Sequence, residues 1–575
     1  MQWAANHMIR RLLAPLWAAL RLAGCATTPA QRPGDAFAGG MVSAADPRAA
    51  EAGAAMLRQG GSATDAALAI LLALTVVEPQ SSGIGGGGLL LTDDGKGGVE
   101  SFDGRETAPA AATPQWFETN GQYLAMGQVV PGGLSTGVPG NFAMMALAHR
   151  RHGKLPWKAL FAPAVALARD GFEVTPRLRS FLERMKGTAA FTPEGTALWY
   201  GPDGVPVPVG TRVRNPALAA FLERLASEGP SAFYRGANAR AVAQAVRNAP
   251  RRPALMTEGD LAAYRAKQRA PVCGGYRGWR ICGMGPPSSG ATTVLGVLGM
   301  LERFDMGALG KDDPKSWHLM AEAMRLAYAD RDRYLADADF VSVPVAGLIA
   351  PEYLARRAAL IAPDRTMAQA PAGSPPGAVA TRIDAPSGEV PSTSHFAVID
   401  RKGRAATLTS TIEGPFGSGL VVNGYYLNNE LTDFAMVPER DGRLVANRVA
   451  AGKRPLSSMS PTLAYGPDGR LRLAIGAAGG KTIPAQVAKA LVGVIDWKLT
   501  AQEAIALPLV YAPGGDTVIV EPGTMLEAMI PALTALGHAK VEARAMPLKA
   551  NAVEVAGAVL RGGADPRSEG AAVSE

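Results

Sequence analysis

The pattern of apolar and polar positions predicts a chain that combines helices with strands. Residues 62–77 open with Ser-Ala-Thr-Asp, a helix-start signal, and continue as a nearly unbroken apolar run that stops before Pro79. Because apolar residues surround this helix on every side, we expect it to be buried between layers. Residues 316–336 show helical spacing, whereas residues 270–295 have the pattern of strands and turns. This mixture predicts an α/β fold of packed layers.

A β-hairpin is predicted near the middle of the sequence, where a polar turn at residues 400–404 separates two runs of strand-forming residues. With Lys402-Gly403 as the two central turn residues, Ser394 faces Thr411 across the hairpin, and Thr393 lies diagonal to Thr411. This geometry brings the Thr411 hydroxyl within hydrogen-bonding reach of Thr393.

A proline-rich stretch precedes the hairpin. Residues 366–392 contain five prolines among glycines and alanines, which predicts an exposed connector. It is either a linker between two domains or the segment that autocatalytic cleavage requires, since a scissile bond must distort and the new chain end must move away. The residue pattern alone leaves both interpretations open.

A glycine motif near the N-terminal helix is not interpreted as a nucleotide site. Gly83, Gly85 and Gly88 match the dinucleotide-binding fingerprint, but that fingerprint must follow a strand and open a helix. Here a helix precedes the glycines and a strand follows them. We therefore expect a tight, close-packed loop.

Composition and charge narrow the possible functions. The chain has 575 residues, of which 47% are hydrophobic and 19% charged, as in folded globular proteins. The net charge of +8 is spread along the chain, and no Lys/Arg block alternates with aromatic residues, so we expect no nucleic-acid partner. The histidines show no metal-ligand spacing beyond His149 and His152, so we expect no metal and no cofactor.

The first 25 residues predict export. Two arginines precede an apolar run at residues 12–20, which is shorter than the roughly 20 residues of a membrane-spanning helix and has the length of an export-signal core. The Leu-Ala-Gly-Cys that follows resembles the lipobox of bacterial lipoproteins, although Arg21 departs from that pattern. We expect residues 1–24 to be a lipoprotein-type export signal and Cys25 to be the lipid attachment point of a periplasmic protein anchored to a membrane. A plain export signal is the alternative.

Two further cysteines, Cys273 and Cys282, flank a short turn. In an exported protein such a pair forms either a disulfide or two buried thiols, and the spacing does not decide between these states.

Thr393 is a candidate nucleophile. A hydroxyl needs a base beside it, and a threonine at a new chain end carries its own α-amine, whose pKa of about 7.7–8.0 leaves it substantially deprotonated near neutrality. Taken alone, the Thr-Ser-His tripeptide is uninformative, because most such threonines are ordinary strand residues.

Several stretches together resemble the γ-glutamyltranspeptidases, which are N-terminal-nucleophile hydrolases. The similarity runs from about residue 40 to the C-terminal tail, and its motifs occur in the family's order. The stretches are residues 103–109, 137–140, 391–396, 427–434 and 453–461.

This resemblance implies a four-layer αββα sandwich formed jointly by two subunits of one precursor. The bond between Ser392 and Thr393 would break by attack of the Thr393 hydroxyl on the preceding carbonyl. The products would be a large subunit of residues 25–392 and a small subunit of residues 393–575, which associate as a heterodimer.

The resemblance also implies a two-step acyl transfer. Thr393 would take the γ-glutamyl group as an ester and pass it to water or to an amino acid or peptide acceptor. Gly479 and Gly480 match the family's oxyanion hole, in which backbone N–H groups stabilise the developing charge. A simple turn is the alternative for this glycine pair.

Substrate binding is implied for five further residues. A γ-glutamyl compound such as glutathione presents an α-carboxylate and an α-ammonium far from the amide that is attacked. Arg105 would hold the carboxylate with its fork of donors, helped by the hydroxyls of Ser457 and Ser458. Glu430 and Asp433 would accept from the ammonium.

Two departures from the family pattern keep other functions open. Glu413 stands where many relatives carry asparagine, and would add a third carboxylate near the ammonium. Residues 434–453, the expected lid, contain no tyrosine, so the site would be more open to bulky acyl groups. The alternative enzyme is a cephalosporin or glutaryl amide acylase, and the alternative from another class is an inert exported binding or scaffold protein.

Overall fold

The computed structural model describes residues 36–379, 383–384 and 392–575. The expected export signal and Cys25 lie outside these ranges. Within them the chain is a mixed α/β protein with two large sheets. None of the described helices combines the length and apolarity that a membrane span requires.

Thirteen of the described strands build the two sheets. They are β1 (Met41–Ala44), β2 (Gly87–Asp93), β3 (Val99–Asp103), β4 (Lys267–Arg269), β5 (Val272–Tyr276), β6 (Trp279–Gly283), β7 (Thr393–Ile399), β8 (Ala405–Thr411), β9 (Thr462–Tyr465), β10 (Leu471–Ala478), β11 (Lys549–Ala556), β12 (Val559–Ala564) and β13 (Ala571–Ser574). The first sheet has the order β13-β1-β7-β8-β2-β3-β4 and the second has the order β12-β11-β10-β9-β6-β5. Neighbouring strands pair antiparallel in both sheets.

Three apolar cores separate the layers. One core contains Leu91 and Ala397 from the first sheet together with Leu463 and Val553 from the second, so the sheets face each other. The outer face of the first sheet packs on one set of helices, and the outer face of the second packs on another. The longer helices are Pro47–Arg58, Ala63–Val77, Asn141–His152, Ala162–Asp170, Pro176–Arg184, Pro216–Glu228, Gly236–Arg247, Gly290–Leu301, Pro314–Tyr334, Pro351–Ala358 and Ile483–Ile495.

Shorter elements lie around this framework. The short helices are Met126–Val129, Lys186–Ala189, Pro193–Trp199, Ser231–Tyr234, Glu258–Ala263, Met306–Leu309, Val345–Leu348, Ala501–Ala506, Met525–Ala528 and Ile530–Ala535, with 3-10 turns at Gly133–Ser135, Trp157–Phe161, Glu430–Asp433 and Gly480–Thr482. The small strands are Glu118–Thr119, Gln122–Tyr123, Phe172–Glu173, Arg212–Val213, Val421–Val422, Tyr425–Tyr426, Glu439–Arg440, Arg443–Leu444, Val510–Tyr511, Thr517–Val520 and Lys540–Ala543.

The helix predicted after residue 62 is confirmed. It spans Ala63–Val77, and all its residues are buried. Ser62 caps it, because the Ser62 hydroxyl accepts a hydrogen bond from the Asp65 backbone N–H at 3.1 Å while the Asp65 carboxylate accepts from the Ser62 N–H at 2.8 Å. The second predicted helix is present as Pro314–Tyr334 and begins two residues early, since Pro314 occupies the first turn and Asp313 caps it.

The strand-and-turn prediction for residues 270–295 is partly wrong, because the helix Gly290–Leu301 begins inside that range. The earlier part does form the hairpin of β5 and β6. Cys273 and Cys282 lie opposite each other in this pair, and their Sγ atoms are 2.08 Å apart, so the structure contains a disulfide.

The predicted hairpin is present, but its predicted register is wrong by one residue. Thr393 lies directly opposite Thr411, and Ser394 faces Ser410. The loop has three residues instead of two, because Asp400 pairs with Arg404 and Gly403 takes a positive φ of 77°. The Asp400 carboxylate accepts from the Lys402 and Arg404 N–H groups at 2.9 and 3.1 Å, which stabilises the wider loop.

The glycine motif forms the tight loop that its order predicts. A Cβ atom at Gly85 would lie 2.0 Å from the Tyr426 carbonyl oxygen, and one at Gly86 would lie 1.9 Å from the Thr411 carbonyl oxygen. The main chain at these two positions therefore packs directly against the segments that follow β8.

The Gly86→Ala substitution should destabilise the protein by about 1–3 kcal/mol, because the added methyl group overlaps the Thr411 backbone. Gly127→Ala is a matched control, since a Cβ atom at Gly127 meets nothing within 4 Å. Denaturant unfolding measures both. Equal stabilities of the two variants would contradict this packing.

A histidine lies buried between the sheets. The His395 Nδ1 atom is 2.8 Å from the Thr409 hydroxyl and its Nε2 atom is 3.2 Å from the Thr407 hydroxyl. Burial lowers the pKa of His395 from 6.5 to about 3. The imidazole is therefore neutral in the folded protein at neutral pH.

The free energy of unfolding should fall as pH drops from 6.5 toward 3. In this window the unfolded chain binds a proton at His395 that the folded chain refuses, which costs up to ~1.4 kcal/mol per pH unit. His395→Gln should reduce this slope, as measured by unfolding at several pH values. A residual slope should remain, since burial also lowers the pKa of His538 to about 4. An unchanged slope in the variant would be inconsistent with this assignment.

Candidate active site

Thr393 begins β7 and faces Thr411 at the end of β8. The Thr393 hydroxyl donates to the Thr411 hydroxyl at 3.3 Å, and the Thr411 hydroxyl donates to the Ser392 carbonyl at 2.9 Å. The Glu413 N–H donates to the Thr411 oxygen at 2.7 Å. Thr411 thus links the candidate nucleophile to the carbonyl of the peptide bond that precedes it, and all three side chains are buried.

The backbone at Glu413 is unusual for a residue with a side chain. Its φ of 72° lies in the left-handed region, which costs an L-residue roughly 1–2 kcal/mol. The conformation directs the Glu413 N–H at Thr411 while the next residue, Gly414, donates to the Asn429 amide oxygen at 2.8 Å. The turn after β8 is therefore fixed on both sides of Glu413.

Ser394 points to the other face of β7, toward a buried ion pair. Its hydroxyl donates to the Glu78 carboxylate at 2.5 Å and accepts from Ser82 at 3.1 Å. The Lys549 ammonium lies 3.0 Å from both Glu78 oxygens. Burial lowers the pKa of Lys549 to about 8, and the Glu78 charge opposes that shift. The pair joins the end of the helix Ala63–Val77 to β11 next to Ser394, the residue that follows Thr393.

No local sequence pattern predicts this ion pair. Glu78 and Lys549 are separated by 471 positions. Glu78 is a single charge that follows the apolar helix Ala63–Val77, and Lys549 is a single charge that begins β11. Their 3.0 Å contact in the folded protein identifies them as partners, and both side chains are buried.

Arg105 follows β3 and is buried among carboxylates. Its Nη1 atom contacts Glu430, and its Nη2 atom lies 2.5 Å from Asp433. The remaining donors reach the carbonyls of Pro455 at 3.1 Å and Leu456 at 2.7 Å. Burial opposes the charge on Arg105, but the Glu430 and Asp433 carboxylates outweigh it and raise the pKa of the guanidinium.

The three candidate ammonium acceptors converge. One carboxylate oxygen from each of Glu413, Glu430 and Asp433 lies within 4.8 Å of the others, and all three residues are buried. Oxygen ligands in this arrangement also suit a divalent metal ion. The Arg105 guanidinium, in direct contact with two of the three, already supplies a positive charge at this position. The arrangement therefore fits an organic cation beside a guanidinium as well as it fits a metal.

A fourth carboxylate lies behind this group. The Glu106 side chain is buried, with Arg105 3.9 Å away. Burial and then the neighbouring Glu430 charge raise the pKa of Glu106 well above its usual range. The site therefore contains four carboxyl groups and the single guanidinium of Arg105.

Ser457 and Ser458 lie on a segment that a buried arginine holds in place. The Arg331 Nη2 atom donates to the Ser458 hydroxyl at 2.8 Å, and its Nε atom donates to the Ser289 hydroxyl at 3.1 Å. Ser289 in turn donates its N–H and its hydroxyl to the Ser457 carbonyl, at 2.7 and 2.9 Å. Sequence reasoning missed Arg331, although it continues the helical spacing of Met320 and Ala327 as a charge on an apolar face.

Gly479 and Gly480 connect β10 to the helix Ile483–Ile495, with φ values of 134° and 58°. The end of β10 lies beside the start of β7. Lys549, which pairs with Ala478 in the sheet, has its ammonium 3.5 Å from the Ser394 hydroxyl. β10 also packs against β7 at Gly476, where an added Cβ atom would lie 2.4 Å from the His395 ring, so the glycine pair follows a strand that packs on β7.

Comparisons with known proteins assign the chain to a family. The family model described as "Gamma-glutamyltranspeptidase" matches residues 49–574. The glutathione hydrolase proenzyme of Bacillus subtilis (strain 168) is 36% identical over 516 residues, covering 87% of this chain and 85% of the relative. The Acylase ACY 1 proenzyme of Pseudomonas sp. (strain SE83) is 36% identical over 509 residues, covering 87% of each chain.

A solved structure is also similar over nearly the whole chain. The cephalosporin acylase from Bacillus halodurans superposes with a TM-score of 0.82 at 28% identity, covering 93% of this chain and 95% of the other. Together with the family match over residues 49–574, these similarities establish that the chain belongs to the γ-glutamyltranspeptidase family.

Proposed function

We propose that this protein is a self-processing γ-glutamyltransferase and glutathione hydrolase. One observation carries the proposal: the Thr411 hydroxyl connects the Thr393 hydroxyl to the Ser392 carbonyl. In this arrangement a single side chain accepts a proton from the attacking oxygen and donates one to the carbonyl oxygen that is attacked.

Maturation would begin with attack of the Thr393 oxygen on the Ser392 carbonyl carbon. The Thr393 proton passes to Thr411 as the Thr411 proton moves to the carbonyl oxygen. The carbon–nitrogen bond then breaks as the former carbonyl oxygen gives up its new proton and the nitrogen takes one up, so that C=O re-forms and an ester joins Ser392 to Thr393. Water hydrolyses this ester, leaving a carboxylate on Ser392 and a free amine and hydroxyl on Thr393.

The freed Thr393 amine would then serve as the base for its own hydroxyl, because an α-amine has a pKa of about 7.7–8.0. The hydroxyl attacks the γ-carbonyl of the substrate and the amine of the substrate leaves with a proton. The resulting γ-glutamyl ester passes to water or to an amino acid or peptide acceptor. Backbone N–H groups at Gly479 and Gly480 would stabilise the oxyanion.

The charges around Arg105 support a zwitterionic substrate. In the free protein the guanidinium and the carboxylates of Glu430 and Asp433 satisfy one another. When such a substrate binds, its α-carboxylate would pair with Arg105. Its α-ammonium would pair with the carboxylates of Glu413, Glu430 and Asp433, so new ion pairs would replace the internal ones. No buried charge is then left unpaired, which would otherwise cost several kcal/mol.

The layer arrangement of the family is proposed on the same basis. A core between two facing sheets, with helices on both outer faces, supports a four-layer αββα sandwich to which residues before and after Ser392 contribute strands.

An amide acylase is the second candidate. The similarity to the Bacillus halodurans cephalosporin acylase and the absence of tyrosine from residues 434–453 favour it. A glutaryl group lacks the α-ammonium, so it would leave the Glu413, Glu430 and Asp433 carboxylates without a substrate cation. We therefore rank the γ-glutamyl substrates first.

Export and lipid attachment also belong to the proposal. The basic start, the apolar run at residues 12–20 and the lipobox-like residues before Cys25 support a lipid-anchored periplasmic protein.

The Thr411→Val variant should slow cleavage before Thr393 by on the order of 100-fold or more, since it removes the proton path but keeps the β-branched shape. Thr407→Val is the matched control, because Thr407 lies on the same face of β8 and contacts His395 instead. A denaturing gel and N-terminal sequencing of the small fragment measure the outcome. A wild-type chain that remains uncut yet hydrolyses γ-glutamyl amides would refute the mechanism. A wild-type chain that is both uncut and inert would favour the scaffold.

Glu413→Gln should lower kcat/KM for a γ-glutamyl anilide by about 10- to 100-fold, which corresponds to one charge-assisted contact with the ammonium. The rate with a glutaryl anilide should not fall, since that substrate has no ammonium. Glu439→Gln, at an exposed position of the same region, is the control. A wild-type preference for the glutaryl anilide would instead support the acylase.

A further inference from the structure

Three neighbouring cavities surround the loop between β7 and β8, far from the candidate active site. Their volumes are about 380, 350 and 290 Å³. Arg401 lines the first, Lys402 the first two, and Arg404 the first and third. Because each cavity contains part of this loop, they form one indented surface, which we call the hairpin-loop surface.

The hairpin-loop surface is strongly basic. Five Lys or Arg residues line the first cavity, and the other two cavities add four more. The three cavities together are lined by only four Asp or Glu residues. The whole chain has 58 Lys and Arg against 50 Asp and Glu. The lining residues therefore carry five more positive than negative charges, although Arg58, Arg151 and Arg472 pair with Glu51, Glu100 and Asp468 at the edge of the surface.

Several of these cations remain available to a partner. Arg401 and Arg404 pair with the carboxylates of Glu575 and Asp400. Within the part of the chain that the structure describes, Lys96, Lys402 and Arg470 are exposed and form no ion pair. These three side chains present three positive charges to an incoming anion, opposed by the carboxylates of Asp93 and Asp94 that also line the cavities.

The pKa of Lys154 reflects its partial burial and the positive charge of the hairpin-loop surface. Partial burial, followed by repulsion from Arg404 and Lys402, lowers the pKa of its ammonium, although Asp400 and Asp65 oppose the shift. An anion at this surface would relieve that repulsion.

The chain also enters the described structure at this surface. The backbone N–H groups of Ala36 and Phe37 donate to the Arg401 carbonyl at 2.7 and 3.0 Å. Ala36 follows Cys25 by only 11 positions, a segment that spans at most about 36–40 Å when extended. A lipid on Cys25 would therefore keep the hairpin-loop surface close to the bilayer.

We propose that the hairpin-loop surface docks on a membrane that contains anionic phospholipids. The orientation rests on the lipid attachment proposed for Cys25, whereas the attraction rests on the cations alone. A basic surface adds electrostatic attraction to anionic lipids, worth about 1 kcal/mol per Lys or Arg near the membrane, to the hold of a lipid anchor. Thr393 lies at the opposite end of β7, roughly 20 Å away for a seven-residue strand, so the docked protein would keep its nucleophile away from the membrane surface.

The test uses the full chain carrying Cys25→Ala, so that no lipid contributes. Binding is measured by co-sedimentation with vesicles of phosphatidylcholine containing phosphatidylglycerol and with vesicles of phosphatidylcholine alone. Adding K96Q, K402Q and R470Q should weaken binding to the anionic vesicles on the order of 100-fold, which corresponds to about 1 kcal/mol for each cation. Added salt should weaken the binding of the parent chain in the same direction.

The matched control adds R235Q, R247Q and R356Q instead. These residues are exposed, change the net charge equally and line none of the three cavities. The control should bind like its parent, and both triple variants should keep γ-glutamyl hydrolysis.

Equal losses in the two triple variants would overturn the proposal, because net charge alone would then explain binding. Equal binding to both vesicle types would overturn it as well. If the K96Q/K402Q/R470Q chain keeps vesicle binding but loses binding to polyphosphate, the surface recognises a soluble polyanion instead. The mass of the mature N-terminal peptide of the wild type tests Cys25 separately, so failure of lipid attachment and failure of the surface give different results.

Discussion

The pairing of β7 with β8 is the constraint on which the candidate active site depends. Because the two strands are antiparallel and in this register, Thr393 stands directly opposite Thr411, and the Thr411 hydroxyl contacts both the Thr393 hydroxyl and the Ser392 carbonyl. A shift of one residue would turn these side chains to opposite faces of the sheet. The register is held at one end by the three-residue loop and at the other by the turn at Glu413. The chemistry proposed for Thr393 is therefore a consequence of strand pairing.

Buried charge is the second organising feature, and it is balanced locally. Arg105 is surrounded by Glu430 and Asp433, while Glu78 pairs with Lys549. Isolated buried charges would cost several kcal/mol, so each cluster holds its members in fixed positions. A site built this way discriminates by charge pattern, since a ligand must replace the internal partner with equal charge. This favours a zwitterion over a simple anion at Arg105.

The sequence predicted the parts of the fold that local patterns determine. The helix Ala63–Val77 followed from its capping residues and apolar run, and the hairpin followed from alternating residues around Asp400. The register could not be predicted, because it depends on hydrogen bonds from the Asp400 carboxylate to the loop backbone.

In the candidate active site, too, some residues were predicted from the sequence and others were not. Motif resemblance named Thr393, Arg105 and the two serines, and the structure shows Thr393 beside Thr411 and Arg105 beside Glu430 and Asp433. Arg331 and Lys549 were not predicted, because their contacts join segments more than 100 residues apart and no short pattern records such partners.

The order of strands in the first sheet explains how one chain can be cut and still remain one body. β1 precedes Ser392 in the sequence, yet in the sheet it lies between β13 and β7, and both of these strands come after Ser392. On the other side, β8 follows the bond and pairs with β2, which precedes it. Separating the two parts would break these strand pairs and expose the cores on both faces of the sheet. A cut before Thr393 would therefore free one amine while the packing around it stays in place, which is the condition that a chain-end nucleophile requires.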